Sequence, residues 1–520
     1  MSSNDRMETG ILKRQERMAA LKAETFDVLI LGGGVNGAGI ARDLALRAKS
    51  AAHPLRIALI DKGHFSSGTS GRNSQLIHGG LRYLKYMEFG LVREALRERS
   101  TLLEIAPHLV EPLAFLIPMY SQFAKYFYGT GLWMYDTLAG SRNISPHRGV
   151  ALEELSKLEP GLNPHELVSA AVFWDARVHS ARFVLENLFE ASSNGTVVMN
   201  YLEAISFTHG ATGVWTVGVR DALTGEKFEV RTRKLVNTTG PWAGEVWPAE
   251  NSLRLVRGSH IVLPRLNKSD HAIAYFEENG RIIFFIPWGS KHDLTLVGTT
   301  DVDHDGSPDQ VHISAEEQEY LLKIAADIYP ESKGMTPIAT YSALRPLVLS
   351  GGSSASSSAT STSREHRIWA SADGVVHVAG GKYTTYRSMS EEAADLAAPP
   401  ELREVHPTAK VPLNGNSKAA IAALKATHDP DVVMAYGVRA PRVLERAARL
   451  GSLEKAQIEE AVECEWAERL PDLLHVSTYW GYERQWDRTA LSALAAEMGS
   501  RLGWSEGRRD EEVTRMAEGT

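Results

Sequence analysis

The sequence predicts an α/β protein organised on a dinucleotide-binding sheet, and three observations between residues 25 and 83 predict it. An apolar run at 26–31 leads into Gly32-Gly33-Gly34-Val35-Asn36-Gly37 and then into a helix-like segment at 38–48. A second apolar run, 56–60, ends on Asp61, and a loop rich in small hydroxyl residues follows at 65–75. Strand, glycine turn, helix and acid-tipped strand together suit a dinucleotide. Gly32 allows the tight turn, Gly34 lets the backbone approach a pyrophosphate, and Gly37 lets the helix pack closely on the strand. The pyrophosphate then lies on the free N–H groups of the helix N-terminus, where the macrodipole favours negative charge. Asp61 is placed to hold a ribose hydroxyl. Three glycines alone are common; the strand before, the helix after and the acid beyond give them meaning. The acid comes later than the usual spacing of about 20 residues, and a loop-like insertion at 49–55 accounts for the excess.

A chain of 520 residues suggests two or three domains. Its 43% hydrophobic and 23% charged content is that of a soluble globular enzyme. A net charge of −8 argues against nucleic acid as a partner, since a nucleic-acid binder shows a basic face. The single cysteine, Cys464, excludes an intrachain disulfide, a redox cysteine pair and a thiolate zinc cluster, and reads as a packed thiol in a reducing compartment. No metal site is expected. No run approaches the roughly 18 apolar residues of a membrane span. Residues 1–24 carry mixed charge without the apolar stretch of a signal peptide. They read as a short arm on the domain, helical over 11–23.

Further along, 91–105 reads as an amphipathic helix whose charged residues form a solvated face. An aromatic-rich piece, 120–138, contains Tyr126, Phe127, Tyr128, Trp133, Met134 and Tyr135. A core helix pair is its favoured reading; a surface touching lipid or a quinone is the other. A helix at 179–192 precedes strand-like runs at 196–199, 203–207, 214–220 and 227–233, which look like a β-meander. The stretch 235–242 then returns to the nucleotide domain. A second strand-rich region runs through 257–263, 281–287 and 294–301, followed by a helix at 315–328. Residues 350–363 are almost entirely Ser, Gly, Ala and Thr, a composition unable to bury enough surface to order itself. A strand, a Gly-Gly turn and a helix start occupy 375–387. A proline-containing linker at 399–418 leads to an Ala-, Glu- and Arg-rich region, 419–520, with helical spacing throughout.

Several strings carry a resemblance: "LIHGGLRYL" at 76–84, "NTTGPW" at 237–242, "YSALRPL" at 341–347 and "GGKYTTYR" at 380–387. The chain resembles the flavin-linked sn-glycerol-3-phosphate dehydrogenases of the aerobic, quinone-linked type. Their fold is like that of glutathione reductase and D-amino-acid oxidase. The resemblance implies FAD as cofactor. It implies a discontinuous FAD domain (about 25–105, 170–250 and 340–398), an inserted antiparallel-sheet substrate domain (about 106–169 and 251–339) and a C-terminal helical cap (419–520). Cofactor contacts would come from Gly32, Gly34, Asn36, Gly37, Asp61, Thr69, Ser70, Ser74, Leu76, His78, Gly240, Gly381 and Thr384. The turn at Gly380-Gly381 would aim a helix N-terminus at the electron-rich end of the reduced flavin.

Oxidising a secondary alcohol with a flavin needs a base for the hydroxyl proton and a grip that aims the C–H bond at the flavin. A phosphate-bearing substrate also needs cationic donors, and the arginine fork matches phosphate oxygens. The resemblance places His260, Arg345, Arg82, Tyr83, Lys382 and Arg364 around the substrate. His260 is expected to be the base or its hydrogen-bond partner, because histidine titrates nearest neutral pH. Arg345 would orient the hydroxyl and carry developing oxyanion charge. Arg82, Arg364 and Lys382 would share the phosphate, with Tyr83 as a hydrogen-bond donor. Without the resemblance, each would read as a structural ion pair or, for His260, a satisfied core imidazole. Two departures stand out. Gln75 occupies a position where the family more often has lysine, which would alter the charge near cofactor or substrate. The stretch 470–482, "LPDLLHVSTYWGY", lacks the expected arginine-rich pattern. The implied activity is oxidation of sn-glycerol 3-phosphate to dihydroxyacetone phosphate with electrons passed to quinone. The expected setting is cytoplasmic, peripheral at the inner face of the cell membrane, with room for a homodimer. An oxygen-using oxidase and a catalytically silent flavoprotein are the rivals. A nicotinamide-linked enzyme should show a second glycine fingerprint, and none is found.

Overall fold

The structure, a computed structural model, describes residues 13–51, 54–248, 253–277, 280–348 and 366–518. The serine-rich stretch at 350–363, Arg364 and the first part of the expected 11–23 helix lie outside these residues. The helix itself is described over Arg14–Ala23.

Two sheets divide the work. In the first, the strands Val376–Gly380, Lys227–Asn237, Thr25–Leu31, Ile57–Ile60 and Val197–Met199 lie side by side and parallel. Thr25–Leu31 sits at the centre with four successive buried residues at its end, the near-continuous apolar run expected of a strand covered on both faces. The helices Val35–Ala48, Ser180–Ser193 and Tyr386–Ala397 pack together over this sheet. The expected meander is present as Leu202–His209 and Trp215–Asp221, joined antiparallel to Lys227–Asn237. That last strand is one continuous element of 11 residues, so the meander and the return to the nucleotide domain are a single piece.

The second sheet comprises ten strands among the described residues and is mostly antiparallel. Its longest strand, Leu253–Pro264, pairs with Ala339–Val348 from Leu253↔Val348 to Val262↔Ala339. Two strands expected in the cofactor domain lie in this sheet. Ala339–Val348 belongs to the second sheet, because the register holds it to Leu253–Pro264 along its whole length. Ser169–Val178 belongs there too, paired antiparallel with Val110–Met119.

The aromatic segment is one helix, Gln122–Ala139, capped by Ser121, whose hydroxyl accepts the Ala124 N–H at 3.0 Å. Only Leu132, Tyr135 and Ala139 are buried, one stripe at helical spacing. Phe123, Tyr126 and Trp133 are 77%, 74% and 62% exposed. The core-pair expectation is therefore corrected: a single buried stripe leaves Phe123, Tyr126, Phe127 and Trp133 facing outward, while Tyr128 packs on Phe276.

Residues 399–418 are pinned rather than loose. Arg42 donates to the Val411 carbonyl at 2.8 Å and Arg47 to the Leu402 carbonyl at 3.0 Å. Beyond them the cap is helical, including Ala440–Leu450, Leu453–Cys464, Arg488–Leu502 and Glu506–Ala517. A buried ion network fastens it to Ser180–Ser193. Arg182 pairs with Glu465, and Arg439 bridges Glu186 and Glu460. Cys464 is buried, as expected, and burial pushes its thiol up to about 12.

Candidate active site

The glycine turn is built as the sequence predicts. The helix Val35–Ala48 starts at Gly34 without a side-chain cap from that residue. Its first-turn N–H groups, including those of Asn36 and Gly37, have no partner within the helix. A Cβ at Gly37 would lie 1.9 Å from the Gly32 carbonyl oxygen, and one at Gly32 would lie 2.7 Å from that of Thr238. Backbone meets backbone here, and only glycine fits. Asp61 pins the turn: its carboxylate accepts the N–H of Gly33 at 2.6 Å and of Gly63 at 2.8 Å. Burial raises its pKa against the pull of those two donors. Ser70 Oγ accepts the Val35 N–H at 2.9 Å, and Thr69 Oγ1 donates to the Leu344 carbonyl at 2.6 Å. The Asn36 and Gly37 N–H groups at the helix N-terminus, a side-chain-free approach and the Ser70 hydroxyl, which still has its proton to donate, are a donor set that fits a pyrophosphate. Gly240 opens the short 3-10 turn after Lys227–Asn237 with φ 56°.

On the second sheet, register brings the expected catalytic pair onto one face. His260 is directly opposite Tyr341, and Arg345 lies two alternations further along the same strand as Tyr341. Two glycines make room for them. A Cβ at Gly298, opposite His260, would come within 2.3 Å of its imidazole, and one at Gly258 within 2.4 Å of the Arg345 guanidinium. His260 is buried and its ring stacks on Tyr341 at 4.9 Å and 24°. Its Nε2 is 2.9 Å from Ser74 Oγ. Burial, then the neighbouring charge of Arg345, lowers its pKa to about 3, so the imidazole is neutral. Arg345 donates to the Thr300 carbonyl at 3.1 Å, to Thr299 Oγ1 at 2.9 Å and to the Asp301 carboxylate.

The loop carrying Ser74 joins the two sheets. Leu76 is buried on the two-residue strand Leu76–Ile77, and His78 exchanges two 3.1 Å hydrogen bonds with the Thr384 hydroxyl through its N–H and carbonyl. Five residues, 74–78, therefore reach from His260 to the Gly380-Gly381-Lys382 turn. Gly381 takes φ 85° against Met389, and the Lys382 ammonium lies 3.7 Å from the Tyr83 ring centroid, a cation–π contact. Arg82 lies in the 3-10 segment Leu81–Tyr86, and its side chain is outside the described residues, as is Arg364.

Gln75 is not a charge-setting residue. It is 4% exposed, and its amide donates to Tyr479 Oη at 3.2 Å while accepting the Ser180 N–H at 2.8 Å. The neutral amide suits this contact with the cap. The sequence reading missed Asp301 as the partner of Arg345, Tyr341 beneath His260, and the cap aromatics behind them. "GTTD" and the alternation of "YSALR" carried a signal for the first two. Nothing in the string 470–482 shows where it packs.

The match to the FAD dependent oxidoreductase family model covers residues 27–396. The chain is thus a FAD-dependent oxidoreductase. It is 33% identical to the glycerol-3-phosphate dehydrogenase of Synechocystis over 95% of this chain and 96% of that one. It is 35% identical to glycerol-3-phosphate dehydrogenase 2 of Mycobacterium tuberculosis over 85% and 75%. The chain belongs to the glycerol-3-phosphate dehydrogenase family. Its fold matches the structure of the Bacillus halodurans glycerol-3-phosphate dehydrogenase complexed with FAD, with TM-score 0.76 and 24% identity, over 97% of this chain and 96% of that one. It also matches L-alpha-glycerophosphate oxidase from Mycoplasma pneumoniae, at TM-score 0.55 and 20% identity over 72% and 95%.

Proposed function

We propose that this protein oxidises sn-glycerol 3-phosphate to dihydroxyacetone phosphate and passes the electrons to a quinone at a membrane surface. The observation that carries the reading is the stretch 74–78, which ties the neutral His260 to Thr384, two residues past Lys382, by hydrogen bonds at both ends. Bound FAD supplies the acceptor for the hydride that leaves the substrate carbon. His260 takes the hydroxyl proton at Nε2, the atom Ser74 addresses. Burial keeps the imidazole neutral and so able to accept that proton. Arg345, held by Asp301, orients the hydroxyl oxygen and stabilises the charge that develops there. Lys382, with Arg82 and Arg364, binds the phosphate, and Tyr83 donates a hydrogen bond. Gly32, Gly34, Asn36, Gly37, Ser70 and Thr69 hold the pyrophosphate end of FAD, and Asp61 holds a ribose hydroxyl.

The exposed aromatic helix supports the membrane and quinone assignment. It packs on Leu81–Tyr86, the element that carries Tyr83. Tyr135 on its inner face donates to Asp175 at 2.6 Å and accepts the Gly79 N–H at 2.9 Å. An apolar outer surface thus lies directly behind part of the proposed substrate site. No helix among the described residues is long and apolar enough to cross a membrane, so contact with the surface would be peripheral.

The test is an anaerobic visible spectrum of the holoenzyme before and after sn-glycerol 3-phosphate. The yellow band should bleach, and His260→Ala should keep the band while slowing bleaching by about 10²- to 10⁴-fold, the usual worth of a positioned base. A band that persists in the unmodified protein rejects the substrate. A quinone analogue should then restore the band faster than oxygen; rapid peroxide formation instead would identify an oxidase.

A further inference from the structure

We propose that Tyr341 is a positioning residue for the His260 imidazole, and that the cap segment around Tyr482 holds Tyr341 in place. The inference rests on the assignment of His260 as proton acceptor. The imidazole is clamped between the Gly298 backbone and the Tyr341 ring, so Tyr341 is the side chain that sets its plane. The same tyrosine controls the hydrogen-bonding edge. Its hydroxyl donates to the Asn73 carbonyl at 2.8 Å, fixing the residue beside Ser74, whose hydroxyl meets His260 Nε2. Face and edge of the base thus both depend on Tyr341.

Tyr341 in turn leans on the cap. Its ring centroid is 5.0 Å from that of Tyr482, and His475 stacks on the far side of this group, 4.5 Å from Tyr482. Trp288 of the second sheet lies 6.4 Å from Tyr482 and 5.9 Å from Tyr479. Tyr479 stacks on His179 at 4.1 Å and accepts the Ala181 N–H at 2.9 Å. The stretch 475–482 is therefore an aromatic wedge between the second sheet and the start of the helix Ser180–Ser193. Its blunt end presses on the tyrosine under the base. An arginine-rich segment could not fill this site, because bringing several charges into it without partners costs far more than packing rings. This gives the departure at 470–482 a role: the cap fixes the geometry of proton transfer.

The experiment compares holoenzyme variants by the rate of flavin bleaching at saturating sn-glycerol 3-phosphate, by the substrate concentration giving half that rate, and by flavin content. Tyr482→Ala should keep its flavin and its half-saturating concentration. Its saturating rate should fall roughly 10- to 100-fold, the scale of a small misplacement at a reacting centre. Tyr482→Phe should recover most of that rate, because the ring and not the hydroxyl is the support. The double variant His260→Ala/Tyr482→Ala should be no slower than His260→Ala alone, since residues acting through one another do not add. A Tyr482→Ala protein as fast as the unmodified one, beside a slow His260→Ala, overturns the inference and leaves the function standing. An unimpaired His260→Ala overturns both. If Tyr482→Ala fails to hold flavin, Tyr482→Leu fills the volume without an aromatic face and carries the same outcomes.

Discussion

His260 and Arg345 owe their positions to glycines facing them. Side chains of that size cannot lie flat over a sheet unless a neighbour gives up its Cβ, and Gly298 and Gly258 do so. Gly258→Ala puts a methyl within 2.7 Å of three guanidinium atoms of Arg345. That flexible end must move, breaking its contacts with Thr299, Thr300 and Asp301. The variant should fold and bind flavin normally, while flavin reduction by sn-glycerol 3-phosphate at limiting concentration falls roughly 10- to 100-fold. Stopped-flow traces at a series of substrate concentrations measure this; an unchanged second-order rate would mean that Arg345 does not hold substrate. The candidate residues were readable in the sequence because they sit in strings with recognisable spacing. Their supports were not. Asp301, Tyr341 and Tyr482 come from three distant segments; the register of Leu253–Pro264 with its neighbours brings the first two to the site, and the packing of the cap adds the third.

Elements were legible where one period dominated. The strand, glycine turn, helix and acid of 25–61 read correctly because apolar runs and glycines leave few alternatives. The helix Gln122–Ala139 did not, because its aromatic residues fall on more than one side and do not say which side is inward. Buried positions Leu132, Tyr135 and Ala139 mark that side only once the fold is known. Replacing Phe123, Tyr126 and Trp133 together by serine should leave flavin content and reduction by substrate intact. Co-sedimentation with phospholipid vesicles should be lost, as should turnover with a membrane quinone. Retained sedimentation would place the membrane contact elsewhere. Likewise, which sheet a strand joins escaped the sequence: a strand such as Ala339–Val348 carries the same alternation whichever sheet claims it.

Across the whole molecule, His108 and His260 are buried, His179 and His475 are half-buried, and these rings are held neutral. His108 is lowered to about 4 and His179, His260 and His475 to about 3, burial being the main cause in each. In the unfolded chain they take up protons near 6.5. Between that pH and about 3 to 4 the unfolded state holds protons the native state refuses, so stability is complete above 6.5 and declines as pH falls. Each group contributes a slope of about 1.4 kcal/mol per pH unit in this window. The melting temperature should therefore drop from pH 7 to pH 5, followed by differential scanning fluorimetry, with the Asp43 carboxyl, which burial raises to about 6, offsetting part of the fall; a rise over that range would contradict the neutral burial of these rings.

The parallel sheet also has a history written into its order. Thr25–Leu31 touches Lys227–Asn237 on one side, and that strand waits for Val376–Gly380. A ribosome delivering about 5–20 residues per second needs tens of seconds to make the intervening chain. During that time the finished glycine turn sits on an incomplete sheet with an open edge, a surface prone to pairing with other chains. The order of the strands thus leaves that edge unpaired until Lys227–Asn237 has been made, so the glycine turn is complete long before the sheet that supports it.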